Sequence, residues 1–436
     1  MRSRTAEPAA VPKAFVAAVL AMALLGAVGT VPSIGVASTP PPTPVPPHGS
    51  PSPFPTALRT PTPSAVPPKL TSPSAVLEDL RTGQVLYAKK ADLRRPIASI
   101  TKIMTALVVL EEASPGEEVV VSAKAAGTRA SQLGLVTGER ISVRQLLYAL
   151  LMQSANDAAV ALAEHVGGSV AGFVELMNRK AEEIGIHRTH FVDPAGLEDR
   201  GNSTAKDVAA VVRAAYMEPL FARITRTKFH KIPAPSGRAR RIQNRNILLW
   251  LYPGAIGAKT GFTTPAQHCL VAAADRAGVR LVAVALGSRG DDAAGVFDDG
   301  AALLNFGYEA FQQTVLVARG QTLGRVTVEG QRVDAVAGDE LIKLVRKDQI
   351  PNIFRAFLPD TGLFLPVVAG QRVGEELVVI AGKRAGRVEA VAIRTVFRPT
   401  PRASPSPELG PLRTGSLAAA LRLLAAVLKS LLDAFL

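Results

Sequence analysis

What the chain is short of narrows the field first. It has 436 residues and one cysteine, Cys269, so no intrachain disulfide is possible. Cys269 lies in the apolar run Cys269-Leu270-Val271-Ala272-Ala273. A free cysteine there behaves as a small hydrophobe, and a buried strand residue is expected rather than a reactive thiol. Aromatic residues are only 5%, and the cations behind the net charge of +14 are scattered. A nucleic-acid binder would cluster its cations and interleave aromatics. The positive balance points instead to anionic surfaces such as lipid headgroups or wall polymers, or to a merely basic surface. Histidines number six, and only His187 and His190 stand close together. That is no metal-ligand spacing, and no metal or cofactor is expected. Lys259-Thr260 resembles the end of a phosphate loop, but Ala258 stands where that motif needs glycine.

Charge is also missing from Ala14 to Val31, after Arg2, Arg4 and Lys13 and before the small residues Gly35-Val36-Ala37. This reads as an export signal over residues 1–38, with an uncleaved membrane anchor as the alternative. Either places the remainder outside the cytoplasm. Residues 39–72 are a proline-rich linker that cannot bury a core and favours an extended chain. A folded unit is expected over 73–312, a second over 313–398, a short linker over 399–412, and an amphipathic helix over 413–436.

Apolar residues make up 47% of the chain, enough for a sizeable core. Ala75-Val76-Leu77 and Val85-Leu86-Tyr87 flank a turn at Arg81-Thr82-Gly83, a hairpin signal. A helix follows Pro96, and Ser142 caps another running through Leu146, Leu147, Leu150 and Leu151. A further helix begins near Asn156. A late hairpin spans His268–Ala274 and Arg280–Gly287, and a helix over Gly300–Phe311 closes the unit. Strands at both ends with helices between them argue an α+β fold, an antiparallel sheet with segregated helices. From Thr314 to Arg398, alternating runs split by glycines read as a separate all-β domain. In Leu417–Leu436 the charges Arg422, Lys429 and Asp433 share one stripe. That favours a helix lying in a membrane interface, with transmembrane insertion or docking on the protein itself as alternatives.

Three short motifs carry chemistry. Ser99 and Lys102, three residues apart at the start of a helix, share one face. A hydroxyl beside an amine of lowered pKa is equipped for acyl transfer, the serine attacking and the lysine taking its proton. Ser154-Ala155-Asn156 lies between two helices, and Lys259-Thr260-Gly261 stands just before the late hairpin. Lys259 adds positive charge near Lys102 and disfavours its protonation. Ser154 is placed to relay protons, Asn156 to hold side chains or a substrate amide, and Lys259 with Thr260 to bind a carboxylate. Gly261 lets a substrate backbone approach the strand edge. A second Ser-x-x-Lys, Ser203-Thr204-Ala205-Lys206, reads as a helix cap, with Thr204 and Asp207 forming a capping box.

The ordered set Ser-x-x-Lys, Ser-x-Asn, Lys-Thr-Gly is the signature of penicillin-binding proteins and class A β-lactamases. The segments Pro96–Ala106, Leu151–Ala159, Lys259–Thr263 and Phe191–Leu197 resemble those of D-alanyl-D-alanine carboxypeptidases, peptidase family S11. These are low-molecular-mass penicillin-binding proteins with a C-terminal β domain and an amphipathic anchor. The resemblance implies a β-lactamase/transpeptidase-like domain in which Ser99 is acylated, Lys102 is the base and Ser154 relays the proton. Asn156, Lys259, Thr260, Gly261 and Phe262 bind substrate, and the N–H groups of Ser99 and Phe262 form the oxyanion hole. The substrate implied is the D-Ala-D-Ala end of peptidoglycan stem peptides, with β-lactams as acylating inhibitors and the membrane surface as a further partner through the C-terminal helix. No nucleic acid is implied. Two departures stand out. Where some members carry a carboxylate-holding arginine, this chain reads Gly290-Asp291-Asp292-Ala293-Ala294, with Arg289 nearby. Asp193 and Ala195 replace the more usual Asn and His or Asp, a change expected to matter less. A β-lactamase would need a Glu-x-x-Leu-Asn run between Asn156 and Lys259, and there is none. A wall-binding scaffold without catalysis has no need of Ser99 and Lys102 together.

Overall fold

The computed structural model describes residues 66–128, 131–290, 293–400, 421–426 and 428–429. The expected export segment, both linkers for most of their length, and most of the expected C-terminal helix lie outside the described residues. Residues 421–426 and 428–429 are helical, with Leu421, Leu423, Leu424 and Leu428 exposed. Among the described residues no single helix is long and apolar enough to cross a membrane.

The expected first hairpin forms from β1 (Ser74–Asp79) and β2 (Val85–Lys89). Its turn is held by the Asp79 carboxylate, which accepts the N–H groups of Arg81 and Thr82 at 2.7 and 3.1 Å. A 3-10 turn, Ala98–Thr101, leads into α1 (Lys102–Glu112). Every α1 residue from Lys102 to Val109 is buried, so this helix runs through the core rather than along the surface. Strands β3 (Glu118–Val120) and β4 (Arg140–Ser142) pair antiparallel around α2 (Ala123–Ala126). Ser142 caps α3 (Val143–Tyr148), its Oγ accepting the Gln145 N–H at 3.4 Å. The helix expected to continue through Leu151 changes instead to a π turn over Ala149–Gln153. Then come α4 (Asn156–Gly167), α5 (Val170–Glu183), α6 (Ala205–Ala215) and α7 (Pro219–Thr225). At the start of α6, Thr204 Oγ1 accepts the Asp207 N–H at 3.0 Å, the cap read from the sequence. The Asp207 carboxylate takes the Thr189 hydroxyl and the Arg188 N–H.

A hairpin of β5 (Phe229–Ile232) and β6 (Arg240–Gln243) and the short α8 (Leu248–Leu251) precede three long strands. These are β7 (Ala255–Thr263), β8 (Gln267–Arg276) and β9 (Val279–Ser288), followed by α9 (Ala294–Ala310). β9 pairs with β1, so the last hairpins fold back on the first in the antiparallel order β2-β1-β9-β8-β7. Side chains alternate between two cores. Val76, Val271, Val282 and Val284 face Met104, Leu162 and Val212, while Leu77, Leu270 and Ala283 face Leu304 of α9. Helices therefore cover both faces, which explains the unbroken apolar runs in β8 and β9. Cys269 is buried in β8, and burial pushes its thiol up to about 11. β7 lies at the sheet's edge.

From Phe311 the chain is almost all strand: β10 (Phe311–Val317), β11 (Thr322–Val328), β12 (Gln331–Ala337), β13 (Leu341–Arg346), β14 (Ile353–Pro359), β15 (Arg372–Ile380) and β16 (Lys383–Ala392). Five form one sheet, β11-β12-β16-β15-β14, and β10 pairs with β13. Gln84 joins this part to the first hairpin. Its Nε2 donates to the Leu344 carbonyl at 2.7 Å, and its Oε1 accepts the Leu344 N–H at 3.1 Å.

Candidate active site

The 3-10 turn presents Ser99 at the head of α1, and three-residue spacing brings Lys102 back to it. Lys102 Nζ donates to Ser99 Oγ at 2.9 Å and to the Ala195 carbonyl at 2.6 Å. Lys102 has no exposed surface. Burial is the main force that lowers its pKa from the usual 10.5 to about 7; Asp193 and Asp157 pull it up and Arg245 pushes it down. An amine so placed is substantially neutral near pH 7 and within reach of the serine proton.

Two non-glycine residues in these motifs or next to them hold left-handed backbone. Ala98, just before Ser99, has φ 48°, and Ser154, at the end of the π turn, has φ 64°. Such conformations cost on the order of 1–3 kcal/mol and persist where the surroundings enforce them. The π turn adds its extra residue in front of Ser154 and ends the helical run there, leaving Ser154 buried between α3 and α4. The Asn156 N–H donates to the Ser131 carbonyl at 2.7 Å. The next residue, Asp157, accepts the N–H groups of Leu133, Gly134 and Leu135 at 2.9–3.1 Å. The motif around Ser154 thus also fixes the loop that carries Ser131.

Lys259, Thr260 and Gly261 lie on β7, which packs against both the 3-10 turn and the π turn. Lys259 is 1% exposed, and its Nζ donates to the Thr260 carbonyl at 2.7 Å. Burial first, then the charges of Lys102 and Arg245, hold its pKa well below the usual lysine value. Gly261 is favoured by proximity. A Cβ there would lie 3.0 Å from the Ser99 nitrogen and 3.1 Å from the Ile97 carbonyl oxygen. Phe262, 55% exposed, stands at the free edge against His268.

Arg245 escapes sequence reasoning. The residue as a whole is exposed, yet enough protein surrounds its guanidinium to lower its pKa, and its charge acts on both lysines. Nη1 donates to Ser131 Oγ at 3.0 Å, and the Arg245 N–H donates to the Met152 carbonyl at 3.0 Å. The neighbours Asn244 and Asn246 are each 1% exposed. Asn244 Nδ2 donates to the carbonyls of Thr225 and Thr227, and its Oδ1 accepts the Asn246 N–H. Two buried asparagines around one arginine, just before an apolar run, were the available signal. At residues 193 and 195, the Ala195 backbone carbonyl holds the Lys102 amine, a contact that does not depend on the side chain there, and Asp193 adds negative charge to that amine's surroundings.

A family model described as D-alanyl-D-alanine carboxypeptidase, peptidase S11, matches residues 61–290. The chain belongs to this family. The D-alanyl-D-alanine carboxypeptidase DacF of Bacillus subtilis is 32% identical over 311 residues, covering 69% of this chain and 79% of that relative. DacD of Escherichia coli is 34% identical over 332 residues, covering 72% and 83%. Among solved structures, penicillin binding protein 5 of Haemophilus influenzae superimposes with a TM-score of 0.65 at 28% identity, covering 76% of this chain and 99% of that one. DacD of Francisella tularensis gives 0.62 at 26% identity, covering 77% and 96%. Likeness over that length takes in the β part as well as the peptidase fold, and it matches the α+β architecture read from the sequence. The carboxypeptidase family is one of serine hydrolases that act on the cell wall.

Proposed function

We propose that this chain is a serine-type D-Ala-D-Ala carboxypeptidase that removes the terminal D-alanine from peptidoglycan stem pentapeptides through an ester on Ser99. The observation that carries the proposal is the 2.9 Å contact between Ser99 Oγ and a fully buried Lys102 amine. In this reading neutral Lys102 takes the Ser99 proton as Oγ attacks the penultimate D-alanine carbonyl. The tetrahedral oxyanion lies between the N–H groups of Ser99 and Phe262. Its collapse breaks the amide bond, and the departing D-alanine nitrogen receives the proton from Lys102 by way of Ser154. Water, deprotonated by Lys102, then cleaves the ester and restores the serine. Asn156 orients the substrate amide, and Lys259 and Thr260 receive the terminal carboxylate. The nearness of β7 to Ser99 supports a substrate strand laid along that edge, with Gly261 leaving room. Penicillins enter by the same attack and remain as stable esters.

The protein acts outside the cytoplasm, held at the outer face of the membrane by its amphipathic C-terminal helix. The test is D-alanine release from a pentapeptide, with and without penicillin. Wild type releases D-alanine and penicillin blocks it, while Ser99→Ala does neither and takes no fluorescent penicillin. Full activity in Ser99→Ala overturns the assignment. Removal of Leu417–Leu436 frees the signal-processed protein from membranes and spares activity; continued pelleting with lipid overturns the anchor.

A further inference from the structure

The turn at Asp193–Glu198 is organised by one side chain. Asp193 Oδ1 accepts the N–H groups of Ala195, Gly196 and Leu197 at 2.7, 2.6 and 3.2 Å, and Oδ2 accepts that of Glu198 at 2.9 Å. A carboxylate that gathers four donors folds the backbone tightly around itself. Three points of the turn then press on the nucleophile element. The Ala195 carbonyl accepts Lys102 Nζ at 2.6 Å. The Pro194 carbonyl accepts Thr105 Oγ1 at 2.6 Å, one turn further along α1. Gly196, with φ 72°, lies so close to the strained Ala98 that a Cβ on it would fall 1.9 Å from the Ala98 oxygen.

Resting on the assignment of Lys102 as proton acceptor, we propose that Asp193 is a positioning residue of the reaction. It clamps the turn that holds the Lys102 amine against Ser99, and it sets a negative charge in that amine's surroundings. Three charged groups act on the amine: Asp193 on this turn, Asp157 on α4 and Arg245 ahead of α8; Lys259 on β7 is itself held down by burial and by the charge of Lys102. The two acids favour the ammonium form and Arg245 opposes it. Among these charges Asp193 has the largest effect on Lys102, second only to burial.

Clamp and charge can be separated by two substitutions in the full chain. Asp193→Asn keeps an Oδ1 acceptor, and with it three of the four bonds, but carries no charge. Asp193→Ala loses both. The measurement is the rate of acylation by fluorescent penicillin from about pH 5 to pH 9, with Ser99→Ala as control. Acylation needs the neutral amine, so it falls below the pKa of Lys102. Asp193→Asn is expected to move this acid limb down by about one pH unit. Well below pH 7 it then acylates up to about tenfold faster than wild type. Asp193→Ala is expected to be slower at every pH, on the order of 10²-fold, from a misplaced amine. An Asp193→Asn limb that superimposes on wild type overturns the role of the charge. Asp193→Ala acylating at the wild-type rate overturns the clamp. Equal labelling of Ser99→Ala overturns the function assignment itself and this inference with it; superimposed limbs with labelling confined to Ser99 overturn this inference alone.

Discussion

Replacing Lys102 with methionine tests whether burial is what makes this amine a base. Lys102 is wholly buried, and its pKa falls from 10.5 to about 7. At roughly 1.36 kcal/mol per unit, housing it in the core costs about 5 kcal/mol at any pH below 7, where folded and unfolded chains both hold the proton. The sign follows from the lowered folded value. Between pH 7 and 10.5 the unfolded chain binds more protons, so stability rises with pH across that window. The cost has shrunk to about 2 kcal/mol at pH 9 and is gone above 10.5. Methionine removes it and loses the hydrogen bond to the Ala195 carbonyl, whose orphaned oxygen costs about 2 kcal/mol. It also relieves Lys259 of a neighbouring charge. Lys102→Met is therefore expected to be about 3 kcal/mol more stable than wild type near pH 6 and no more stable by pH 10, while taking no penicillin at either. The assay is denaturant unfolding of both proteins side by side from pH 6 to pH 10, read as a difference so that other groups cancel. A difference that stays flat with pH, or a variant less stable at pH 6, refutes the reasoning.

Gly261→Ala drives a methyl group toward the Ser99 nitrogen and the Ile97 and Ile100 backbone at 3.0–3.2 Å. Acylation is expected to fall on the order of 10²-fold with little change in melting temperature, checked by penicillin labelling and circular dichroism. Arg245→Met removes a cation that lowers both lysines, so the acid limb of the acylation profile should rise by up to about one pH unit. A pH–rate curve unchanged from wild type would count against that role. Arg240→Ala strips a half-buried partner from the buried Glu139, whose oxygens it meets at 2.7 and 2.8 Å and whose side chain is 2% exposed. It should cost about 3–5 kcal/mol in a denaturant melt.

The nucleophile and its base were legible because three-residue spacing on a helix is a local rule. The hairpins were legible because alternation and glycine turns are local too. Other features depend on separations that no window contains. The contacts of Asp157 and Arg245 with distant backbone, and those of the Asp193 turn with α1, exist only after the chain has closed, and their residue types are ordinary in loops. The π turn was invisible because Leu146, Leu147, Leu150 and Leu151 keep helical spacing from α3 into it. The charge of Lys259 was expected to make Lys102 a base, whereas burial contributes most and Arg245 adds to it. Burial on that scale depends on α1 crossing the core, which its apolar residues suggest but do not prove. The edge position of β7 follows from β9 joining β1, a pairing between strands some two hundred residues apart.

The single thiol has a practical use. Cys269 sits under the sheet at 1% exposure and resists ionisation up to about pH 11. Maleimides and other thiolate-seeking dyes therefore have almost nothing native to modify in the folded protein. A cysteine placed at Phe262 would be the lone labelling point, giving a fluorescent reporter at the lip of the cleft without first rebuilding the protein.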